Sequence, residues 1–269
     1  MPSLTIRPIP LFSDNYAWLI LNASAQTAIL VDAAVADTCV AAVPDGYELV
    51  GALTTHHHRD HAGGNANLAE LRPGIAIVGG ASEESRIDAA TRLVTDGETF
   101  QLGGVTFRAL HTPCHTRGHV CYFTDADADS PPVLFSGDTL FGGGCGRFFE
   151  GDAGTMRASL AKLAALPLAT RVYCGHEYTV ANLRFCRAVE PSNLATAQRT
   201  AEALVTRAAN KPTVPFTIAD ELATNVFLRT NIEAVRLFTH GGEKRHSSGG
   251  ADMSDEEVLG VLREKKNAF

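Results

Sequence analysis

The stretch TTHHHRDHAGG, residues 54–64, holds the most informative cluster of side chains in the chain. It follows the apolar run ELVGAL, so we predict a loop at the carboxyl end of a buried strand. Within it, the pattern His56-x-His58-x-Asp60-His61 offers imidazole nitrogens and a carboxylate. These donors suit borderline divalent ions such as zinc, iron and manganese. The stretch therefore predicts a metal site.

The spacing inside this loop suggests more than one ion. His56 and His58 alternate and point to one side, whereas Asp60 and His61 can face a second point nearby. A single metal takes three or four protein ligands, often with an open position for water. A loop that supplies four ligands is therefore expected to share them between two ions. Gly63 and Gly64 let the chain turn closely into a following helix.

Further metal ligands are expected where later apolar strands end. His115 lies in TPCHTRGH, Asp138 in FSGDTLF and His176 in YCGHEYT, each beside Gly or Pro. A carboxylate such as Asp138 can bridge two cations, which an imidazole cannot do. We expect the remaining five histidines to stay outside the metal site, with the second and third as supports for the loop: His57, His111, His119, His240 and His246.

Composition is typical of a soluble globular enzyme, with 45% hydrophobic and 20% charged residues. The formal net charge of −7 argues against nucleic acid as a partner, because phosphates would be repelled.

No apolar run approaches the roughly 20 residues of a membrane span, and MPSLTIRPIP lacks the apolar core of a secretory signal. The six cysteines form no CxxC pair and are expected to be reduced, buried thiols. We therefore expect a cytoplasmic protein.

The chain divides by texture near residue 178. Residues 1–178 alternate short strands with Gly-rich turns, including a hairpin at Gly103-Gly104. Residues 179–269 are helical, with two helices broken near Pro191 and a last helix capped at Ser254 or Asp255. Earlier helices are predicted over 35–43, 63–73 and 152–167, and a Gly/Ser loop over 241–254. We predict a β-rich catalytic domain followed by a helical domain.

Four motifs in fixed order, THHHRDH, TPCHTRGH, SGDTLF and CGHEYT, resemble those of the metallo-β-lactamase superfamily. This resemblance implies an α/β fold, a four-layer αββα sandwich with a dinuclear metal site at one edge. The chain resembles the glyoxalase II (hydroxyacylglutathione hydrolase) branch more closely. That likeness extends over nearly the whole chain, through DNYAWLI, LFGGGCGRFFEGDAGTM, CGHEYTVANLRF and LREKKNAF. It implies a C-terminal α-helical substrate-binding domain.

The resemblance also assigns the expected ligands to two divalent ions, zinc first, with iron or manganese also suited. One ion is held by His56, His58 and His115, the other by Asp60, His61 and His176, and Asp138 bridges them. The implied nucleophile is a metal-bridging hydroxide held by Asp138, His58 and Asp60. Two cations lower the pKa of such a water and stabilise the oxyanion formed when a carbonyl is attacked.

The implied substrate is a small-molecule glutathione thioester, S-D-lactoylglutathione, hydrolysed to glutathione and D-lactate in methylglyoxal degradation. Family positions that hold glutathione correspond here to Arg147, Phe149, Tyr178, Arg263 and Lys266. Phe149 departs from the family's tyrosine and loses one hydrogen bond, about 0.5–1.5 kcal/mol. Arg263 and Lys266, taken alone, are typical of a solvated helix end. We expect a monomer without an obligate protein partner.

Other functions on this scaffold stay open from the sequence. A lactonase, a β-lactamase, another thioesterase or an RNA-processing nuclease would use similar metal ligands, although the nuclease would need a basic surface. A persulfide dioxygenase uses one metal, whereas Asp60 and His61 beside Asp138 favour two. A non-enzymatic metal-binding or redox module would normally accompany a flavin domain, for which the helical region leaves no room.

Overall fold

The computed structural model of the chain describes residues 4–83, 86–125, 130–241 and 253–269. A first sheet contains β1 (Leu4–Leu11), β2 (Asn15–Asn22), β3 (Thr27–Val31), β4 (Glu48–Leu53), β5 (Ala76–Gly80) and β6 (Arg92–Val94), in that spatial order. A second contains β7 (Thr99–Leu102), β8 (Val105–His111), β9 (Val120–Thr124), β10 (Val133–Gly137), β13 (Arg171–Cys174) and β14 (Phe216–Thr217), in the spatial order β14-β13-β10-β9-β8-β7. A ribbon pairs β11 (Leu140–Phe141) with β12 (Gly144–Cys145).

Helices lie outside both sheets. Those of the first part of the chain are α1 (Ala36–Ala41), α2 (Arg59–Ala62), α3 (Asn65–Leu71) and α4 (Ala153–Ala164). Those of the C-terminal part are α5 (Thr179–Val189), α6 (Leu194–Ala208), α7 (Ile218–Thr224), α8 (Glu233–Thr239) and α9 (Asp255–Ala268). In the described ranges, no helix is both long and apolar enough to cross a bilayer.

Strand β2 shows why the sheets form inner layers. Every residue of NYAWLILN is buried, as expected for a strand covered on both faces. Trp18 and Ile20 belong to the core between the sheets, with Phe107 and Tyr122 from the second sheet. The alternate residues, such as Leu19, belong to a separate core with residues of α1 and α3. Two helical layers thus enclose two sheets, which confirms the αββα sandwich.

Two local expectations are confirmed by backbone geometry. Gly103 and Gly104 form the turn of the β7–β8 hairpin with φ of 55° and 75°, a region that favours glycine. Ser254 caps α9 in a capping box with Glu257. The Gly/Ser loop expected over 241–254 falls mostly outside the described residues.

Strand β1 was not expected from the sequence. Pro8 and Pro10 lie within it, and proline removes a hydrogen-bond donor from a strand. The strand is nevertheless regular because it pairs only with β2 at the edge of the first sheet. On the unpaired side of an edge strand no neighbouring strand requires a backbone N–H, so proline is tolerated there.

The predicted metal ligands lie in segments that follow strand ends at one edge of the sandwich. The segment over 54–61, which ends within α2, follows β4, the loop over 112–119 joins β8 to β9, and Asp138 follows β10. The backbone N–H of Val120 donates to the carbonyl of Thr55 at 2.9 Å, so the first two loops are joined across the sheets. A site assembled here draws side chains from both sheets.

Candidate active site

Three imidazole nitrogens converge at the first candidate ion position. Nδ1 of His58 lies 3.0 Å from Nε2 of His56 and 3.1 Å from Nε2 of His115. Tetrahedral ligands at the usual zinc–nitrogen distance stand about 3.3 Å apart, so this cluster has the dimensions of a metal site. The three nitrogens form one group able to hold an ion.

A second group lies beside the first. Oδ2 of Asp60 is 3.8 Å from Nε2 of His61 and 3.5 Å from Nε2 of His176. These three side chains also form a group able to hold an ion. The HxHxDH segment therefore contributes to both groups, and its His56 and His61 also form a third possible group with Asp138.

Asp138 lies between the two groups. Its Oδ2 is 3.4 Å from Nε2 of His115 and 3.3 Å from Nε2 of His176, and its Oδ1 is 3.3 Å from Nε2 of His61. One carboxylate thus faces a histidine of the first group and two of the second. This is the position required of a bridging ligand.

Two buried atoms show that the donor set fits divalent cations. Nε2 of His61 and Oδ1 of Asp138 are buried 3.3 Å apart, and among the described residues neither has a hydrogen bond of good geometry. An unsatisfied buried polar atom costs about 1–3 kcal/mol, so such atoms are rare unless a ligand completes them. A cation between them would satisfy both. The structure thus supports divalent metal binding at the histidine–aspartate cluster.

The protonation of the cluster also favours cation binding. Burial lowers the pKa of His115 to about 4, so its imidazole is the neutral form that ligates metal at pH 7. Burial opposes charge at His61 too, but the carboxylates of Asp138 and Asp32 outweigh it and raise its pKa well above the usual value. Without an ion, these carboxylates hold a proton on His61. A divalent cation can take the place of that proton.

A cavity of about 530 Å³ opens on the metal cluster. The residues predicted to bind substrate all line it, although they come from distant parts of the sequence: Arg147, Phe149, Tyr178, Arg263 and Lys266. Five of the metal-ligand candidates line it as well: His58, Asp60, His115, Asp138 and His176. The metal cluster and the cationic side chains therefore share one cavity.

Two family models divide the chain between them. The metallo-beta-lactamase superfamily matches residues 13–176, and the hydroxyacylglutathione hydrolase C-terminus matches residues 177–269. A hydroxyacylglutathione hydrolase of Pseudomonas aeruginosa (strain LESB58) is 44% identical over 269 residues, covering 99% of this chain and 100% of the relative. The chain belongs to the hydroxyacylglutathione hydrolase family. The predicted family is thereby confirmed.

Two further similarities agree with this membership. A cytoplasmic hydroxyacylglutathione hydrolase of Arabidopsis thaliana is 44% identical over 231 residues, covering 85% of this chain and 89% of the relative. The crystal structure of TTHA1623 in a di-iron-bound form is similar with a TM-score of 0.52 and 28% identity, covering 63% of this chain and 91% of that one. The hydroxyacylglutathione hydrolase family thus accounts for both the fold and the helical C-terminal region.

The aromatic side chains of the cavity border the cluster of metal-ligand candidates. The Phe149 ring lies 5.2 Å from that of His115 and 5.8 Å from that of His58, and 59% of the residue is exposed. Tyr178 stacks on His176 with 4.7 Å between ring centroids. Phe149 therefore lies in the cavity wall and offers a ring without a hydroxyl.

The two basic residues of α9 differ in their surroundings. Arg263 is buried, and its Nη1 donates to the carbonyl of Cys145 at 2.8 Å while its Nε donates to Asn267. Lys266 is half-buried; burial lowers its pKa, and the neighbouring charges of Arg263 and Arg147 add to this effect. Neither residue is an ordinary solvated helix end. Arg263 has a structural contact that the sequence did not indicate.

Side chains behind the metal ligands were missed by the sequence interpretation. Asp32 accepts from Nδ1 of His61 at 2.9 Å, and Asp14 from Nδ1 of His176 at 2.8 Å. Asn15 donates to Asp60 at 3.0 Å. Such partners orient ligating side chains and fix the histidine tautomer. Their signal was weak: DNYAWLI and ILVDA place polar residues at strand ends, but the sequence does not say which ligand they meet.

Of the histidines expected outside the cluster, His246 lies outside the described residues, and the others join none of the possible ion-holding groups found in the described ranges: His57, His111, His119 and His240. His119 is buried, accepts from the backbone N–H of Asp138 at 3.1 Å and contacts the hydroxyl of Thr112 at 3.0 Å. His111 contacts the carbonyl of Arg117 through Nε2 at 2.9 Å. His57 faces the carboxylate of Glu83 instead of the cavity. His111 and His119 thus contact the loop over 112–119, whereas His57 points away from the cavity.

Proposed function

We propose that this chain hydrolyses S-D-lactoylglutathione to glutathione and D-lactate, with two divalent ions in the cluster described above. The observation that supports it best is the cavity, in which metal-ligand candidates meet the three cations Arg147, Arg263 and Lys266. The relatives named hydroxyacylglutathione hydrolase over the full chain support the same activity. Glutathione carries two carboxylates, so a cationic wall suits its binding.

For the metal centre, we propose the assignment that the family resemblance implies. His56, His58 and His115 would hold one ion, Asp60, His61 and His176 the other, with Asp138 between them. When bound, two divalent ions supply a water nucleophile at neutral pH and a Lewis acid for the thioester carbonyl. Zinc is proposed first; the di-iron form of TTHA1623 supports iron as an alternative, and manganese suits the same donors.

The side chains around this centre would bind and orient the thioester. Arg147, exposed at the cavity mouth, can bind a carboxylate through two parallel N–H donors. Lys266 adds a point charge on the α9 side. Tyr178, held flat on His176, would donate its hydroxyl hydrogen, because burial raises its pKa and keeps it protonated. Binding the glutathione part in this way would hold the thioester beside the cluster of metal-ligand candidates.

We further propose that residues 1–178 form the catalytic domain and residues 179–269 the substrate-binding domain. The boundary between the two family models, at residues 176 and 177, supports this division. The protein is proposed to act as a cytoplasmic monomer on a small molecule, with a relative named cytoplasmic supporting the location. Size-exclusion chromatography of the purified chain tests the monomer.

The test is a thiol-release assay on S-D-lactoylglutathione with the metal-replete protein. We expect turnover that a chelator abolishes and added divalent ions restore. Elemental analysis of protein purified without added metal identifies the ion. A generic thioester without the glutathione part and a lactone serve as comparison substrates. Failure to release thiol from S-D-lactoylglutathione would refute the proposal, and preferential lactone hydrolysis would point to a lactonase.

A further inference from the structure

The loop over residues 142–147 connects the helical region to the active site. It contains β12 and ends at Arg147, whose side chain lines the cavity. The carbonyl of Arg147 lies 3.2 Å from Nδ1 of His115 and accepts its hydrogen bond. The position of this loop therefore influences both a substrate-binding cation and a metal-ligand candidate.

A buried carboxylate from α7 holds this loop. The backbone N–H of Gly143 donates to both oxygens of Glu221, at 3.0 and 3.2 Å. Asn225 donates to the carbonyl of Gly144 at 3.0 Å and to Glu221 at 2.7 Å. Glu221 and Asn225 are both fully buried. Two consecutive residues of the loop, Gly143 and Gly144, are thus bound through their backbone by side chains of the helical region.

A counter-charge accompanies the carboxylate. Nη2 of Arg199, on α6, lies 2.6 Å from Glu221, and the Arg199 side chain is only 14% exposed. Burying an ion pair gains little stability compared with apolar residues of the same volume. Because the Glu221 carboxylate of this pair also binds the backbone of the loop, we attribute to the pair a role in positioning the loop.

The loop has no room to move toward α5. If Gly142 carried a side chain, its Cβ would lie only 2.5 Å from Thr179, and a Cβ at Gly143 would lie only 2.9 Å from Leu183. The glycine backbones therefore pack closely against α5. Gly143 also has a φ of 68°, a conformation that other residues rarely adopt. Tight packing on one side and the Glu221 carboxylate together hold the loop in a single position.

We propose that Glu221 is a positioning residue, which fixes the 142–147 loop so that Arg147 faces the substrate and the Arg147 carbonyl orients His115. The substrate part of this inference rests on the proposed function. The part that concerns His115 does not, because the contact with the Arg147 carbonyl exists whichever substrate is used.

The test compares Glu221→Gln with Glu190→Gln. Glu190 is a matched control, since it is also buried and paired with an arginine of the helical region, Arg229, and it has no described contact with the loop. We expect Glu221→Gln to raise KM for S-D-lactoylglutathione about tenfold, with kcat within about twofold, as for the loss of one charged hydrogen bond. Glu190→Gln should leave KM unchanged.

A second measurement does not depend on turnover. The cobalt-loaded variants are compared by their visible absorption bands, which respond to the orientation of a ligating histidine. We expect a band shift for Glu221→Gln and the wild-type spectrum for Glu190→Gln. If the wild type does not hydrolyse the thioester, the proposed function fails, while the cobalt spectra still test the positioning of His115.

A further variant guards against misfolding. Glu221→Asp keeps the charge for Arg199 but withdraws the carboxylate from Gly143, so we expect it to fold and to change KM and the cobalt spectrum in the same direction. Wild-type KM and spectrum in both Glu221 variants would overturn the inference. Equal changes in Glu190→Gln would also overturn it, because a general loosening of the helical region would then be the cause.

Discussion

Asp32 accepts a hydrogen bond from His61, 2.9 Å from Oδ2 to Nδ1, across 29 residues of sequence. The same carboxylate accepts from the backbone N–H and the hydroxyl of Thr55, each at 2.8 Å. It therefore binds the start of the HxHxDH loop and its last histidine together. A carboxylate behind a ligating imidazole fixes its tautomer and strengthens it as a donor.

Asp32→Asn should weaken metal binding by about 10–100-fold, because the amide cannot accept from His61 and Thr55 as the carboxylate does. Competition with a chromophoric chelator measures the affinity. Asp37→Asn is the matched control, since Asp37 is exposed on α1 and pairs with Asn67. Equal affinity in both variants would show that Asp32 does not support the site.

Asp138→Asn should leave fewer than two ions per chain and lower kcat/KM at least about 100-fold, the order expected when charge stabilisation at the reacting centre is lost. The physical reason is the position of Asp138 between both ligand groups, where an amide carries no charge to bridge them. Elemental analysis and the thiol-release assay test this together. Retention of two ions at wild-type affinity would contradict a bridging role.

Phe149→Tyr should lower KM about two- to tenfold, the effect of one added hydrogen bond. The ring is 59% exposed at the cavity wall, so a hydroxyl does not disturb the core. Steady-state kinetics on S-D-lactoylglutathione measure the change. Phe12→Tyr, at an equally exposed ring that does not line the cavity, is the control. No change at Phe149 would mean that the hydroxyl does not reach the substrate.

Lys266→Met should raise KM about tenfold and change kcat little, because it removes a charged contact remote from the scissile bond. Lys265→Met provides the comparison, since Lys265, next to Lys266 on the same helix, contacts Phe238 and does not line the cavity. Arg263→Met is expected to lower the melting temperature as well, through the lost bond to the Cys145 carbonyl. An unaltered KM for Lys266→Met would make that residue structural.

Glu190 should make the stability of the helical region sensitive to acid. Burial acts to raise its pKa, but hydrogen bonds from Arg229 and Asn193 outweigh it and lower the pKa. A folded-state pKa below the unfolded value of about 4.3 gives stability that is present above that pH and is lost as the pH falls through the folded value.

The wild type should therefore exceed Glu190→Gln in unfolding free energy by about 1.5–3 kcal/mol at pH 7. The difference should shrink below about pH 4. Urea unfolding of the metal-free proteins at several pH values measures it, since metal loss then plays no part. A difference that stays constant with pH would contradict the role given to Glu190.

The roles of some site residues could be predicted from the sequence, whereas the roles of others could not. His56, His58, Asp60 and His61 share one short segment, so local spacing was enough to predict that they lie together in one cluster. Asp32 could not be assigned, because its role depends on which distant loop meets the end of β3. Arg263 was expected only to bind substrate, but its bond to the Cys145 carbonyl depends on how α9 packs, which helix periodicity does not specify.

Because the ligand candidates come from both sheets, the centre has a consequence for folding. In the proposed assignment each ion joins the loop after β4 to a loop of the second sheet. A chain whose sheets have not yet packed offers only the local donors of the first loop. Most of the free energy of metal binding is then gained only after the two sheets have packed, so metal binding stabilises the folded state. We expect a cell short of metal to accumulate less of the folded protein, in addition to losing its activity.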